Sequence, residues 1–156
     1  MWFSKKSLSI VSPCDGVVND LKSLNDGVFS EKMLGDGVAI KTKKEKINIY
    51  APCDSILETV FDTKHAYGIS TKNTKILIHI GIDTVELKGK GFESFVKQGQ
   101  TVKQGDHLCT VDINEISTHV SSSDIIILVL PESINKNIFD LKLGETKVNN
   151  EIFKVK

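Results

Sequence analysis

Apolar residues along this chain come in short runs, each cut off by a turn signal. Gly16–Val18, Gly37–Ile40, Ile47–Tyr50, Lys75–Ile80, His107–Val111, Ile125–Leu130 and Glu151–Val155 are such runs. Between them lie Asn25–Asp26–Gly27, Gly35–Asp36–Gly37, Lys72–Asn73 and Gln104–Gly105–Asp106, residues that favour tight turns and positive φ. Many short β-type segments at close spacing predict an all-β fold, an antiparallel β-sandwich or barrel with short helical turns. Helical periodicity is weak, and only Phe92–Val96 and Asn114–His119 are expected to hold a turn or two of helix.

A partial internal repeat refines this picture. Ser12–Pro13–Cys14–Asp15–Gly16 recurs as Ala51–Pro52–Cys53–Asp54–Ser55, and each copy is followed by an apolar strand, Val38–Ala39–Ile40 or Ile76–Leu77–Ile78. Two interlocked β-hairpin units in one sandwich, a duplicated motif, are the expectation. With 156 residues the chain can bury a core without a disulfide or structural metal. No linker divides it, so residues 1–8 are read as a short tail and residues 9–156 as one domain.

Charge narrows the partners. Twenty basic and twenty acidic residues cancel, which argues against nucleic acid and anionic lipid. Every basic residue is lysine, so any phosphate is met by lysine, hydroxyl or backbone donors and not by a guanidinium fork. Cys14, Cys53 and Cys109 form no disulfide framework and no zinc knuckle, in keeping with a cytoplasmic setting. No run reaches membrane-spanning length, and Met1–Trp2–Phe3 with Lys5–Lys6 is too short an amphipathic segment to bind a bilayer well.

Of the four histidines, two have a geometry that sequence can argue. Ala66–Ser70 and Lys75–Ile80 flank the polar loop Thr71–Lys72–Asn73–Thr74. Antiparallel pairing centred on Lys72 sets His65 directly across from His79, with Cβ atoms about 4.5–5.5 Å apart. Within the second strand Ile76, Ile78 and Ile80 make a core stripe, while Leu77, His79 and Gly81 share the opposite, open face. A facing imidazole pair suits two chemistries. A neutral histidine is a nucleophile for phosphoryl transfer, with the second ring and a hydroxyl such as Thr63 as donors. Alternatively His65 and His79 bind zinc weakly, as two of the four ligands zinc prefers.

The run Ile78–His79–Ile80–Gly81–Ile82–Asp83–Thr84–Val85–Glu86–Leu87–Lys88–Gly89 resembles the signature of glucose-type enzyme IIA of the bacterial sugar phosphotransferase system. Gly35–Ile40, Phe61–Tyr67 and Gly99–Asp106 match further segments of that family in the same order. The resemblance extends from about Ser9 to the C-terminus and implies an antiparallel β-sandwich. It implies that His79 accepts a phosphoryl group on Nε2 from the histidine-containing phosphocarrier protein HPr and donates it to the cysteine of the glucose permease's EIIB domain. It makes His65 the second histidine, needed for onward donation, and Thr63 a hydrogen-bonding partner within the site. The resemblance also implies that the Gly81 carbonyl holds the His79 ring through Nδ1–H. Asp26, Val28, Phe29, Met33, Leu34, Phe61, Leu77, Asp83 and Val85 become a partner-binding disc, apolar with an acidic rim. The chain is expected to work as a monomer with no required cofactor. The loop between the histidines is one residue shorter than the family's.

Two other classes fit the pattern less well. A zinc hydrolase of similar double-hairpin fold commonly uses His-x-His, and Ile80 and Gly81 follow His79 instead. A lipoyl- or biotin-type carrier, suggested by Val102–Leu108, needs a lysine in an acidic setting at a hairpin tip. A purely regulatory binding module is compatible with the same surface.

Overall fold

The computed structural model describes residues 6–156, so the amphipathic start Met1–Trp2–Phe3 and Lys5 lies outside the described residues. Three sheets account for the strands. One runs β1 (Leu8–Val11), β14 (Glu151–Val155), β12 (Ile138–Phe139); a second runs β4 (Lys46–Tyr50), β10 (His107–Asp112), β8 (Phe92–Ser94). The third is eight strands wide: β13 (Gly144–Thr146), β2 (Gly16–Asp20), β3 (Asp36–Lys41), β11 (Ser122–Val129), β7 (Lys75–Ile82), β6 (Ala66–Ser70), β5 (Ser55–Val60), β9 (Thr101–Val102). Every pairing is antiparallel. Among the described residues, helix is confined to single turns at Leu21–Leu24, Thr84–Leu87 and Ile113–Ile116. Asn114–His119 thus supplies part of one turn. Phe92–Val96 does not: Phe92–Ser94 is a strand, because β10 offers it a ladder from Val111 to Cys109 that a lone helical turn could not match.

The sequence repeat is a structural one. Tyr50 donates its backbone N–H to the Pro13 carbonyl and Val11 donates to the Pro52 carbonyl, so the two Pro-Cys-Asp turns clasp each other reciprocally. Asp15 Oδ1 accepts from the N–H of Val148 and Asp54 Oδ1 accepts from that of Gln104, both at 2.8 Å. The same short carboxylate thus anchors the same kind of distant loop twice.

Most of the core lies between the sheets, where Ile76, Ile78 and Ile80 of β7 meet Ile125 and Ile127 of β11, Val38 and Ile40 of β3, and Phe153 of β14. The other face of the wide sheet is not bare, as the alternation suggested. Leu21, Phe29, Ala39, Ile126 and Leu128 form a second, smaller cluster there, and Leu77 packs against it. Cys14, Cys53 and Cys109 are free and buried, and burial first of all pushes each thiol up to about 12.

Candidate functional site

The site sits on that second face, beside the small cluster. β6 and β7 do pair, but Ala66, not His65, stands across from His79. The four residues Thr71–Thr74 form a closed even-numbered loop, with Thr71 N–H on the Thr74 carbonyl at 2.9 Å, so the pairing is not centred on Lys72. A one-residue slip in a regular strand would send the two rings to opposite faces. The rings meet nonetheless, with centroids 5.1 Å apart at 80°. His65 escapes strand alternation because it belongs to the loop closing the β5–β6 hairpin. Lys64 adopts a left-handed φ of 61°, and Phe61 N–H bonds the Ala66 carbonyl across the loop.

His79 is held by a different irregularity. β11 and β7 are paired Ile125↔Ile80 and next Ser122↔Ile82, so β11 carries an extra residue opposite Gly81. Gly81 takes φ 72°, and a Cβ there would lie 2.6 Å from the Ser122 carbonyl oxygen. This kink turns the Gly81 carbonyl back toward its own strand, where His79 Nδ1 lies 2.7 Å away. A carbonyl only accepts, so the proton is on Nδ1 and the Nε2 lone pair is free for an electrophile. His65 Nδ1 lies 2.6 Å from Thr63 Oγ1. With the hydroxyl donating to Nδ1, the His65 proton sits on Nε2.

Two phenyl rings flank this pair, making a row of four. Phe61 meets His65 edge-on at 5.4 Å, His65 meets His79, and Phe29 tilts against His79 at 5.1 Å. Burial, and then the neighbouring His79, holds the His65 imidazole down to about 4. Burial also lowers His79, against the opposing pull of the Gly81 carbonyl. Both rings are therefore neutral near pH 7.

Around the rings the apolar residues divide. Val28, Met33, Leu34, Phe61 and Val85 are exposed, Met33 at 68%, whereas Phe29 is 6% exposed and belongs to the small cluster. Leu77 is half-buried. Of the nine residues expected to form a disc, Phe29 and Leu77 are thus mainly its floor. Asp83 is exposed and accepts a hydrogen bond from Ser121 Oγ. Asp26 builds the disc as well as bordering it, since its carboxylate accepts from the N–H of Phe29 at 3.1 Å and of Ser30 at 2.8 Å. Slight burial works to raise that carboxyl, but the Ser30 and Phe29 donors outweigh it and leave it below the usual range.

Two residues outside the expected set touch the site. Thr84 is fully buried with its hydroxyl on the Ile80 carbonyl at 2.6 Å, and Ser121 reaches Asp83 across 38 positions of sequence. Asp83-Thr84 straight after a glycine-broken strand was a legible cue for the first. Nothing local marks Ser121. Among the described residues, no group of three or more His, Cys, Asp or Glu side chains is placed to hold a metal ion.

Residues 8–134 match the family model described as the phosphoenolpyruvate-dependent sugar phosphotransferase system, EIIA 1. The PTS system glucose-specific EIIA component of Mycoplasma capricolum subsp. capricolum is 46% identical over 148 residues, covering 94% of this chain and 94% of the relative. The solved structure of glucose permease IIA from Mycoplasma capricolum superposes with a TM-score of 0.90 at 44% identity, covering 99% of each chain.

Proposed function

The chain belongs to the EIIA 1 family of the phosphoenolpyruvate-dependent sugar phosphotransferase system and is a phosphoryl carrier in sugar uptake; from that premise we propose that His79 Nε2 is the atom that carries the phosphoryl group. The observation that supports this reading is the 2.7 Å contact between His79 Nδ1 and the Gly81 carbonyl, which keeps the proton on one nitrogen and the lone pair on the other. The Nε2 lone pair attacks phosphorus in line; the bond from phosphorus to the donor's nitrogen breaks as the new N–P bond forms, and the Nδ1 proton stays in place. Its hydrogen bond to Gly81 strengthens as the ring becomes cationic.

His65 serves the outgoing step. With its proton on Nε2, oriented by Thr63, it donates to an equatorial oxygen of the phosphoryl group and follows the charge toward the leaving side. Because burial keeps it neutral, it does so as a dipole and not as a competing cation.

The donor is the histidine-containing phosphocarrier protein and the acceptor is the cysteine of the permease's EIIB domain. Glucose, named in the relatives, is the sugar. These partners act at the cytoplasmic side of a membrane, and no helix among the described residues is long and apolar enough to cross one. Val28, Met33, Leu34, Phe61 and Val85 give them an apolar landing surface, and Asp83 faces a basic partner. Zinc binding by the chain alone is weak, because His65 and His79 fill half of a tetrahedral shell.

The deciding experiment is incubation with phosphoenolpyruvate, enzyme I and HPr, followed by intact mass. One acid-labile, alkali-stable phosphate per chain, lost in His79→Gln, is the expected result. Stoichiometric phosphate on His79→Gln would overturn the assignment.

A further inference from the structure

Everything proposed for His79 depends on one carbonyl pointing the right way, and the residue that aims it lies outside the rings. Gly81 sits at φ 72°, a region glycine enters freely, so nothing intrinsic to it fixes its peptide groups. The neighbour on the other side of that kink is held at both ends. Ile80 donates its N–H to the His65 carbonyl at 2.7 Å, and its own carbonyl accepts from Thr84 Oγ1 at 2.6 Å. Beyond Ile80, the β11 ladder skips from Ile125 to Ser122, so regular strand pairing does not continue through Gly81. The Thr84 methyl group occupies the space a side chain would take, since a Cβ built on Gly81 falls 2.7 Å from Thr84 Cγ2. Thr84 itself is 0% exposed and sits at the first position of the turn Thr84–Leu87. The Ile80 N–H faces His65 on the β6 side, where the ladder has ended at Ala66, and the Thr84 hydroxyl is the partner the Ile80 carbonyl has there.

We propose that Thr84 is a positioning residue for phosphoryl transfer: its hydroxyl and methyl group together lock the Ile80–Gly81 peptide so that the Gly81 carbonyl holds the proton on His79 Nδ1. This rests on the reading of His79 as the phosphoryl carrier. The hydroxyl removes the alternative in which the Ile80 carbonyl turns to find water, and the methyl group blocks the backbone from collapsing into the kink. Because Ile80 N–H also ties the His65 backbone, the lock fixes the spacing of the two rings as well as the tautomer of one.

The test uses the full chain and two readouts. Thr84→Val keeps the branched shape and removes the hydroxyl; Thr84→Ser keeps the hydroxyl. Ring-nitrogen NMR reports the His79 tautomer without any partner, and the rate of phosphate uptake from phospho-HPr reports function. Thr84→Val is expected to shift His79 from a single Nδ1–H form to a mixture and to slow uptake by about tenfold, the factor for one lost neutral hydrogen bond. Thr84→Ser is expected to restore the Nδ1–H form and most of the rate. A folded Thr84→Val protein with the wild-type ring signature and rate would overturn the proposal. Should Thr84→Val not fold, Thr84→Ser against Thr84→Ala decides the matter, and identical ring signatures in those two would overturn it. A wild-type chain that takes no phosphate on His79 would sink the carrier assignment instead, and the ring signature would still decide whether Thr84 sets the tautomer.

Discussion

Two regions of this molecule present a histidine among aromatic rings, hydrogen-bonded to a carbonyl two residues further on. His107 stacks on Phe95 at 4.4 Å and lies 5.4 Å from Tyr50, and its Nε2 meets both the Cys109 carbonyl at 3.0 Å and Thr110 Oγ1 at 3.2 Å. His79 has Phe29 beside it and the Gly81 carbonyl on Nδ1. The difference is which nitrogen the carbonyl engages. On β10 the ring folds back along its own strand, so the distal nitrogen is consumed by its neighbours. On β7 a glycine in the left-handed region swings the carbonyl to the proximal nitrogen, and the ring has a second imidazole 5.1 Å away, centroid to centroid. The inventory of residue types is nearly the same in both places. A kink in one strand separates the ring proposed as the phosphoryl carrier from a packed side chain.

The sharpest way to break that comparison is to remove each ring. His79→Gln is expected to abolish phosphate incorporation, while His107→Gln keeps wild-type stoichiometry by intact mass. Loss of labelling in His107→Gln would show that the two regions are not so different.

His65→Gln divides the reaction within the active region. It is expected to accept phosphate at near-normal stoichiometry and to pass it to the permease domain about a hundredfold more slowly, the usual scale for losing one preorganised donor. Sugar phosphorylation at the wild-type rate would refute the donor role.

Acid supplies a third comparison. The His65 pKa is lowered to about 4 in the fold against about 6.5 in a free chain, so the unfolded state binds more protons between those values. Stability is therefore lost as pH falls from 6.5 toward 4, by roughly 2 kcal/mol at pH 5 relative to pH 7. Urea titrations at the two pH values should show a smaller drop for His65→Gln. Equal drops would mean that His65 is as easily charged in the fold as outside it.

The smallest expected effects are at the rim. Phe61, 41% exposed, can lose its ring without opening the core, and Phe61→Ser is expected to weaken donor and acceptor binding roughly tenfold. Asp83→Lys should slow association with HPr a few-fold at low salt and less at high salt. Leu77→Ser is a poorer probe than strand alternation suggested, because Leu77 is half-buried and packs against the small cluster that includes Leu21 and Phe29.

Sequence pattern made the strands legible because the core is built from short apolar runs rich in β-branched residues, alternating in β7 and continuous in β11. The duplicated Pro-Cys-Asp turns were legible too, since a turn needs those residue types wherever it occurs. The meeting of His65 with His79 was foreseen through a register that the Thr71–Thr74 loop does not adopt. It comes about instead through the left-handed Lys64, and no hydrophobic pattern records a loop's backbone. Phe92–Ser94 hid for a related reason: a three-residue strand has too few positions to show a period, and only its partner β10 defines it. The covered side of the wide sheet was missed because Leu21 and Phe29, which cover it, come from a segment far from β7 in sequence.

The first and last described strands are sheet neighbours, with Leu8 across from Val155 and Ser9 Oγ bonded to Glu151 across 142 positions. Ser12 exchanges backbone bonds with Asn149 and Asn150 at the same seam. As the chain is made, β1 has no partner until β14, more than 130 residues further on, has followed. Closing so long a loop comes late and slowly, as in other folds of high contact order. Until it closes, β1 presents unpaired backbone and apolar Ile10 and Val11 to solvent, the kind of edge that invites association with another chain.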